Sequence, residues 1–214
     1  MPQRLRIRTI VSQPFAENTY IAGLPDRPEV LIVDPGFEPD LILTHIQDEG
    51  LIPVAILNTH GHVDHIAGNA AMKEAFPEIS LIIGEGDAAM LTDADLNFSG
   101  IYGLPIISPP ADHTVHEGDR LELGGLELDV FEIPGHSPGH IVFVWRSEPT
   151  IVLGGDVLFR GSVGRTDMPG GSFEQLKNGI HAKLWVLPDE TVVYPGHGPV
   201  TTIGHEKRTN PYVG

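Results

Sequence analysis

The segment Asn58-Thr59-His60-Gly61-His62-Val63-Asp64-His65 decides how this chain is interpreted. It follows the apolar run Val54–Leu57, which is typical of a buried strand, and it leads into a helical pattern. Four potential metal ligands therefore lie close together at a strand-to-helix turn, and Gly61 lets His60 and His62 converge from a tight loop. A single ion would find poor geometry with all four ligands, whereas two neighbouring ions could divide them.

Further residues of ligand type lie in other strand-end turns. His136 lies in a Gly- and Pro-flanked turn between two strand patterns, Asp156 directly follows the apolar run Ile151–Leu153, and His197 lies in a Gly-His-Gly-Pro turn. Functional residues collect in such loops on α/β scaffolds. The chain has no cysteine, which excludes a thiolate nucleophile, an iron–sulfur cluster and Cys-ligated zinc. Nitrogen and carboxylate oxygen remain as the metal ligands.

Composition limits the classes of partner. The chain has 214 residues, with 29 acidic and 13 basic side chains and a net charge of −16, and we expect one domain over residues 1–214. This charge disfavours binding to nucleic acid or to an anionic membrane surface. The longest apolar run, Ile141–Trp145, is far shorter than the about 20 residues that span a bilayer. We expect a cytoplasmic protein with a small-molecule substrate, and a homo-oligomer remains open.

The order of secondary-structure patterns favours two sheets covered by helices. Short β-type runs occur in groups, and helical patterns interleave with them over Pro39–Gly50, Asp64–Phe76 and Ser172–Leu187. They do not alternate regularly, as one doubly wound sheet would require. The least regular stretch, Thr92–Pro110, is rich in Gly, Pro and Ser, and a loop of this length tends to be functional or mobile.

The ordered series of ligand residues resembles the complete ligand series of the metallo-β-lactamase superfamily, over essentially the whole chain. The resemblance implies an α/β (α+β) fold, a four-layer αβ/βα sandwich with the metals at one edge between the sheets. It also implies a first metal site of His60, His62 and His136, a second site of Asp64, His65 and His197, and Asp156 as the bridging ligand. Five histidines and two aspartates suit two divalent metal ions, zinc first, with iron or manganese also compatible.

Within that superfamily the chain resembles the short glyoxalase II-like (hydroxyacylglutathione hydrolase-like) enzymes. The supporting segments are 108–112, 161–167 and 196–204. Two departures disfavour a glutathione thioester as the substrate. Few residues follow His197, where the glutathione-specific enzymes have a helical domain, and Gly164-Arg165-Thr166-Asp167 stands where they have a Lys-Phe-Tyr segment.

The resemblance therefore implies a dinuclear metal-dependent hydrolase that cleaves a small acyl-thioester. In this hypothesis a water shared by the two ions has its pKa lowered towards about 7, and the bridging hydroxide attacks the carbonyl carbon. Asp64 and Asp156 are the candidate catalytic residues, because Asp64 is placed to orient the nucleophile and Asp156 to bridge the ions. A thiolate, with an ordinary pKa of about 8.5, can leave without a strong general acid.

Three residues outside the ligand series have two interpretations each. Arg165 could bind a substrate carboxylate or simply pair with Asp167. Tyr194 could donate a hydrogen bond near the metals or be a buried strand tyrosine. His140 is interpreted as structural, with the orientation of a metal ligand as the alternative.

Other functions share the fold that the resemblance implies. A mononuclear-iron persulfide dioxygenase would use His60, His136 and Asp156, but the intact second set of ligands favours two metals and hence the hydrolase. A lactonase or β-lactamase-type hydrolase could use the same nucleophile on a cyclic ester or amide. A nucleic-acid hydrolase is disfavoured by the net charge, and a non-catalytic binding module would not explain seven intact ligands.

Overall fold

Two six-stranded sheets form the centre of the protein, in a computed structural model that describes residues 5–103 and 105–214. The first sheet follows chain order and contains β1 (Arg6–Ser12), β2 (Glu17–Gly23), β3 (Glu29–Val33), β4 (Ile52–Asn58), β5 (Ser80–Gly84) and β6 (His113–Val115). The second contains β7 (Arg120–Leu123), β8 (Leu126–Glu132), β9 (Ile141–Trp145), β10 (Ile151–Gly155), β13 (Val192–Pro195) and β14 (Thr201–Thr202). Its spatial order is β14-β13-β10-β9-β8-β7, and a separate hairpin consists of β11 (Leu158–Phe159) and β12 (Ser162–Val163).

Helices cover the outer faces of the sheets. They are α1 (Pro39–Asp48), α2 (Val63–Ile66), α3 (Asn69–Ala75), α4 (Phe173–Gly179) and α5 (Ile203–Thr209), with 3₁₀ helices at Glu85–Thr92 and Gly100–Tyr102 and a π-helix at Ile180–Leu184. Side-chain caps begin two of them, because Ser172 Oγ accepts from the Gln175 amide and Thr202 Oγ1 accepts from the His205 amide. Among the described helices, none is long and apolar enough to cross a membrane.

Three apolar clusters define the layers. The cluster between the sheets takes side chains from both, such as Leu31 and Phe143. Because successive strand residues point to opposite faces, the neighbouring Ile32 instead packs in the cluster that contains residues of α1 and α3. A third cluster joins the outer face of the second sheet to α4 and to the π-helix. The predicted four-layer αβ/βα sandwich is therefore confirmed.

The predicted helix over Asp64–Phe76 is divided into α2 and α3. The break comes at Gly68, whose amide donates to the Pro35 carbonyl at 2.8 Å. A methyl group at Gly68 would lie 2.8 Å from the Gly36 carbonyl oxygen, so this close approach of two backbones requires glycine. The break brings α2, with its two metal-ligand residues, against the turn that follows β3.

Strand direction explains why the candidate ligands meet. Strands β3, β4, β5 and β6 pair in parallel, and so do β10 and β13 in the other sheet. Parallel strands present their carboxyl ends at the same edge of a sheet, so the segments that follow β10 and β13 reach one end of the second sheet. The distance of 3.5 Å between His65 Nε2 and Asp156 Oδ1 shows that the segment after β4 lies at the same end of the sandwich. Those segments carry the ligand motif at 58–65, Asp156 and His197.

Candidate metal centre

The seven predicted ligands form one cluster at that end of the sandwich. The ligand atoms of His60, His62 and His136 all lie within 4.8 Å of one another, and so do those of Asp64, His65 and His197. These first and second ligand sets have the division that the resemblance implied. The carboxylate of Asp156 lies between them, with Oδ2 at 3.4 Å from His136 Nε2 and 3.5 Å from His197 Nε2, and Oδ1 at 3.5 Å from His65 Nε2.

The donor atoms of this cluster fit divalent metal ions. Three buried ligand atoms of this cluster have no hydrogen-bond partner among the described residues: His60 Nε2, His65 Nε2 and Asp156 Oδ1. An unpaired buried polar atom costs about 1–3 kcal/mol, so three of them in one cluster of ligand residues indicate a ligand that is not part of the polypeptide. Imidazole nitrogen and carboxylate oxygen are the ligands that zinc and iron accept.

Asp34, which the sequence interpretation missed, orients a ligand of the second set. It follows β3 with a φ of +49°, and its Oδ1 and Oδ2 accept hydrogen bonds from the amide and the hydroxyl of Thr59, both at 2.7 Å. Its Oδ2 also lies 3.1 Å from His65 Nδ1. Although the carboxylate of Asp34 lies within 4.8 Å of His60 and His65, these bonds occupy both of its oxygens. Asp34 is therefore a residue that positions His65, whose Nε2 faces the cluster.

His136 and Asp156 are also held from outside the cluster. The Nδ1 of His136 lies 2.8 Å from the Arg165 carbonyl oxygen, which leaves Nε2 facing Asp156. The Nε2 of His140 accepts from the Asp156 amide at 3.0 Å. His140 is therefore more than a core histidine, because it fixes the backbone of the residue that lies between the two ligand sets.

Asp87, also missed from the sequence, connects the two loops that provide the first ligand set. It is fully buried in the 3₁₀ helix Glu85–Thr92 and accepts hydrogen bonds from the Gly61 amide at 3.1 Å, the Ser137 hydroxyl at 2.6 Å and the Gly139 amide at 2.6 Å. Gly61 lies between His60 and His62, and Ser137 follows His136. Burial raises the pKa of Asp87, and the three donors oppose this rise by stabilising the carboxylate.

The two predicted substrate-binding residues lie in different surroundings. Arg165 lines the cavity and forms a two-point ion pair with Asp167, from Nε to Oδ1 at 2.7 Å and from Nη2 to Oδ2 at 2.8 Å. Tyr194 packs between the sheets, edge to face against Tyr20 with ring centroids 5.4 Å apart. It is partly buried and is absent from the described residues that line the cavity, so its proposed hydrogen bond near the metals stays a prediction. A contact of Arg165 with the substrate stays a prediction.

A cavity of about 370 Å³ opens over the cluster. Aromatic rings lie beside both ligand sets: the Phe98 ring centroid is 5.1 Å from that of His62, and the Phe159 ring centroid is 5.9 Å from that of His197. At the base of the cavity the packing is tight. A methyl group at Gly196 would collide with the Asp156 carboxylate, so only glycine can precede His197.

Burial and charge divide the ligand histidines into two kinds. Burial, together with the neighbouring His136, lowers the pKa of His62 to about 3, and burial also lowers the pKa of His60. Burial acts in the same direction on His65, but the carboxylates of Asp64 and Asp156 outweigh it and raise the pKa of His65 well above its ordinary value. Without metal the second set therefore retains a proton, and metal binding must displace it.

The metal-free protein is expected to lose stability as the pH falls below 6.5. His60, His62 and His140 are buried with lowered pKa values, so they stay neutral when folded, whereas each binds a proton in the unfolded chain below its ordinary pKa of 6.5. The unfolded state then holds more protons, and the free energy of unfolding falls by up to about 1.4 kcal/mol per pH unit for each such histidine. The raised pKa values of His65 and His197 add little to this slope well below pH 6.5, where both are protonated in both states. The raised pKa values of the buried carboxyl groups of Glu17 and Asp87 act in the opposite direction, so they offset part of the effect of the three histidines.

Urea unfolding of metal-free protein between pH 7 and pH 5 measures this effect. The denaturation midpoint is expected to fall below pH 6.5, the ordinary pKa of the three histidines. A midpoint that is constant from pH 7 to pH 5 would show that these histidines are not neutral in the folded protein.

Comparison with known proteins agrees with this site. Residues 13–197 match the family model described as the metallo-beta-lactamase superfamily. The probable metallo-hydrolase YqgX of Bacillus subtilis is 39% identical over 201 residues, which cover 94% of this chain and 93% of the relative. The hydroxyacylglutathione hydrolase GloC of Haemophilus influenzae is 37% identical over 211 residues, which cover 98% of each chain.

Solved structures of similar chains show the same fold. The BLEG-1 B3 metallo-beta-lactamase superposes with a TM-score of 0.92 at 38% identity, over 97% of this chain and 99% of the other. TTHA1623 in a di-iron-bound form gives a TM-score of 0.82 at 39% identity, over 96% and 99%. With the described cluster of histidine and aspartate ligands, these matches show that the chain belongs to the metallo-β-lactamase superfamily of metallo-hydrolases.

Proposed function

We propose that this protein is a dinuclear metal-dependent hydrolase that cleaves small acyl-thioesters. The observation that carries the proposal is the position of Asp156, whose carboxylate oxygens lie 3.4–3.5 Å from His136 of the first ligand set and from His65 and His197 of the second. A carboxylate shared between two complete ligand sets favours two ions. We propose zinc as the resident metal, with iron as the alternative, since the similar TTHA1623 is described in a di-iron-bound form.

The residues of the chain then have separate tasks. When divalent ions are bound, they supply the Lewis acidity that polarises a carbonyl group and lowers the pKa of water. Asp64 has its Oδ2 at 3.3 Å from His197 Nε2, and in the metal-free protein His65 and His197 lower its pKa despite burial, so it is a carboxylate that can accept a hydrogen bond from the attacking nucleophile. Asp156 holds the two ligand sets at a fixed separation.

A thioester suits the absence of an additional acid. Among the described residues that line the cavity, the acidic ones are Asp64 and Asp156, and both belong to the ligand cluster. A thiolate, with an ordinary pKa of about 8.5, needs little help from a general acid in order to leave. The similarity to a protein named hydroxyacylglutathione hydrolase supports the same class of substrate.

A cyclic amide or ester is the second candidate substrate. It is favoured by the TM-score of 0.92 to a protein described as a B3 metallo-beta-lactamase. The third alternative, oxygen chemistry at one iron, would leave unexplained why the second set of Asp64, His65 and His197 is assembled at ligand distances.

Metal analysis followed by substrate profiling tests the proposal. Purified protein is reconstituted with zinc, iron or manganese, its metal content is measured by mass spectrometry, and kcat/KM is determined for thioesters, lactones and β-lactams. We expect two ions per chain and the highest kcat/KM for thioesters. One iron per chain with persulfide-dependent oxygen uptake would overturn the proposal, and so would hydrolysis of lactams in preference to thioesters.

A further inference from the structure

We infer that the substrate is a thioester whose substituents on both sides of the carbonyl are apolar and uncharged, and that Phe98 and Phe159 select them. This inference rests on the proposed function, because it takes the cavity over the ligand cluster as the place where the thioester binds. It concerns the wall of the cavity and not the metal ligands.

The cavity wall is mainly apolar away from the ligands. Its apolar members are Phe15, Val63, Phe98, Phe159, Val163 and Met168. Aromatic side chains bury large apolar areas and reject polar groups that find no hydrogen-bond partner against them. Because Phe98 contacts the ring of His62 and Phe159 that of His197, a substituent leaving the cluster in either direction meets an aromatic face.

Phe98 is held in place by its loop. Its φ of +66° is rare for a bulky residue and persists only where the surroundings impose it. The preceding Asn97 is fully buried, and its Nδ2 donates to the Met90 carbonyl at 3.1 Å and to the Ile106 carbonyl at 2.9 Å. The Asn97 carbonyl accepts from the amide of Val63, the first residue of α2. The loop is therefore anchored to the ligand motif, and the ring has a fixed position beside the first ligand set.

The charges of the cavity wall also disfavour an anionic substituent. Among the described residues that line the cavity, Arg165 is the one lysine or arginine. Its guanidinium pairs with both carboxylate oxygens of Asp167, and it lowers the pKa of Asp167 to about 2, so the pair is neutral overall at pH 7. A substrate carboxylate or phosphate that lies outside the ligand cluster would therefore find no cationic side chain in this wall, among the described residues, that lacks a paired carboxylate. The net charge of −16 on the chain also disfavours its approach.

Matched thioesters test the inference on the zinc-loaded enzyme. The acyl series compares acetyl, butanoyl and succinyl thioesters of N-acetylcysteamine, in which succinyl has a carboxylate in place of the terminal methyl group of butanoyl. The thiol series compares butanoyl thioesters of N-acetylcysteamine, glutathione and coenzyme A. We expect kcat/KM for butanoyl-N-acetylcysteamine to exceed the values for the succinyl and coenzyme A thioesters by about 10-fold or more, because hydrophobic pockets discriminate by such factors.

Two variants test whether Phe98 and Phe159 select the substituents of the thioester. Each of the variants Phe98→Ala and Phe159→Ala is expected to reduce one preference about 10-fold, either that for butanoyl over acetyl or that among the thiols. Both variants are expected to keep two metals bound. Leu96→Ala is the matched control, because Leu96 lies on the same loop, is 47% exposed and is absent from the described cavity wall. Binding of the non-hydrolysable S-butyl-N-acetylcysteamine thioether, measured by calorimetry, gives a readout independent of turnover.

The outcomes separate this inference from the proposed function. Thioester hydrolysis that prefers the succinyl or coenzyme A substrate overturns the inference, and so do two phenylalanine variants that keep every preference of the wild type. No hydrolysis of any thioester overturns the proposed function instead. In that case thioether binding that weakens in Phe98→Ala would still show an apolar site at this wall.

Discussion

Replacing Asp156 by alanine is expected to reduce hydrolysis by more than about 100-fold and to lower the metal content below two ions per chain. Removing residues that merely support metal ligands costs about 10–100-fold, and a ligand shared by both sets must cost more. Asp156 faces His136 of the first set and both His65 and His197 of the second, all within 3.5 Å. Its loss therefore leaves each set one donor short.

The variant is measured by metal analysis and by kcat/KM, with circular dichroism to verify the fold. Asp167→Ala is the control, because this aspartate lies on the loop that follows and pairs with Arg165 outside the ligand cluster. It is expected to keep both metals. An Asp156→Ala protein with two metals and normal turnover would disprove the assignment of Asp156 as the bridging ligand.

Replacing Asp87 by asparagine is expected to weaken metal binding at the first ligand set by about 10–100-fold while sparing the second. Asp87 accepts three hydrogen bonds from the two loops that carry His60, His62 and His136. Asparagine offers one accepting oxygen, and its amide group would face a donor, so at least one loop loses its attachment. The second set keeps its own support, because Asp34 orients His65.

Stepwise titration with zinc against a chromophoric chelator separates the two affinities. The zinc affinity of the first ligand set is expected to weaken, and that of the second set is expected to stay at the wild-type value. Glu85→Gln is the matched control, since Glu85 belongs to the same 3₁₀ helix and is exposed. Equal loss at both steps, or no loss at either, would contradict the role given to Asp87.

The ligands could be predicted from the sequence because their signal is local. Residues 58–65 carry four of them after one strand, and His136, Asp156 and His197 each occupy a recognisable turn at a strand end. Short β-type runs likewise indicated most strands of the two sheets, but not the short edge strands β6 and β14. The helix over 64–76 was predicted without its break, because the need for a close approach at Gly68 arises from the distant turn at Pro35.

The residues that hold the ligands could not be predicted, because their signal is spatial. Asp87 is 26 residues from Gly61 in sequence and 50 from Ser137, and Asp34 is 25 residues from Thr59. In the sequence, Glu85-Gly86-Asp87 begins a short helical pattern with no sign that Asp87 is buried, and only the packing of the fold shows that it is. His140 gives a similar case, because its bond to the Asp156 amide depends on the two strands that bring them together.

Phe98 and the buried side chains that support the ligands lie on different segments, and this separation has an evolutionary consequence. Asp34, Asp87 and His140 hold the ligands by buried hydrogen bonds, whereas Phe98 reaches the cavity from the loop that precedes β6. Substitutions of Phe98 that keep the anchoring Asn97 are expected to alter the accepted substrate without disturbing coordination. Homologous chains with the same seven ligands can therefore diverge in specificity, and a mutagenic library confined to this loop is expected to yield new substrate preferences at unchanged metal content.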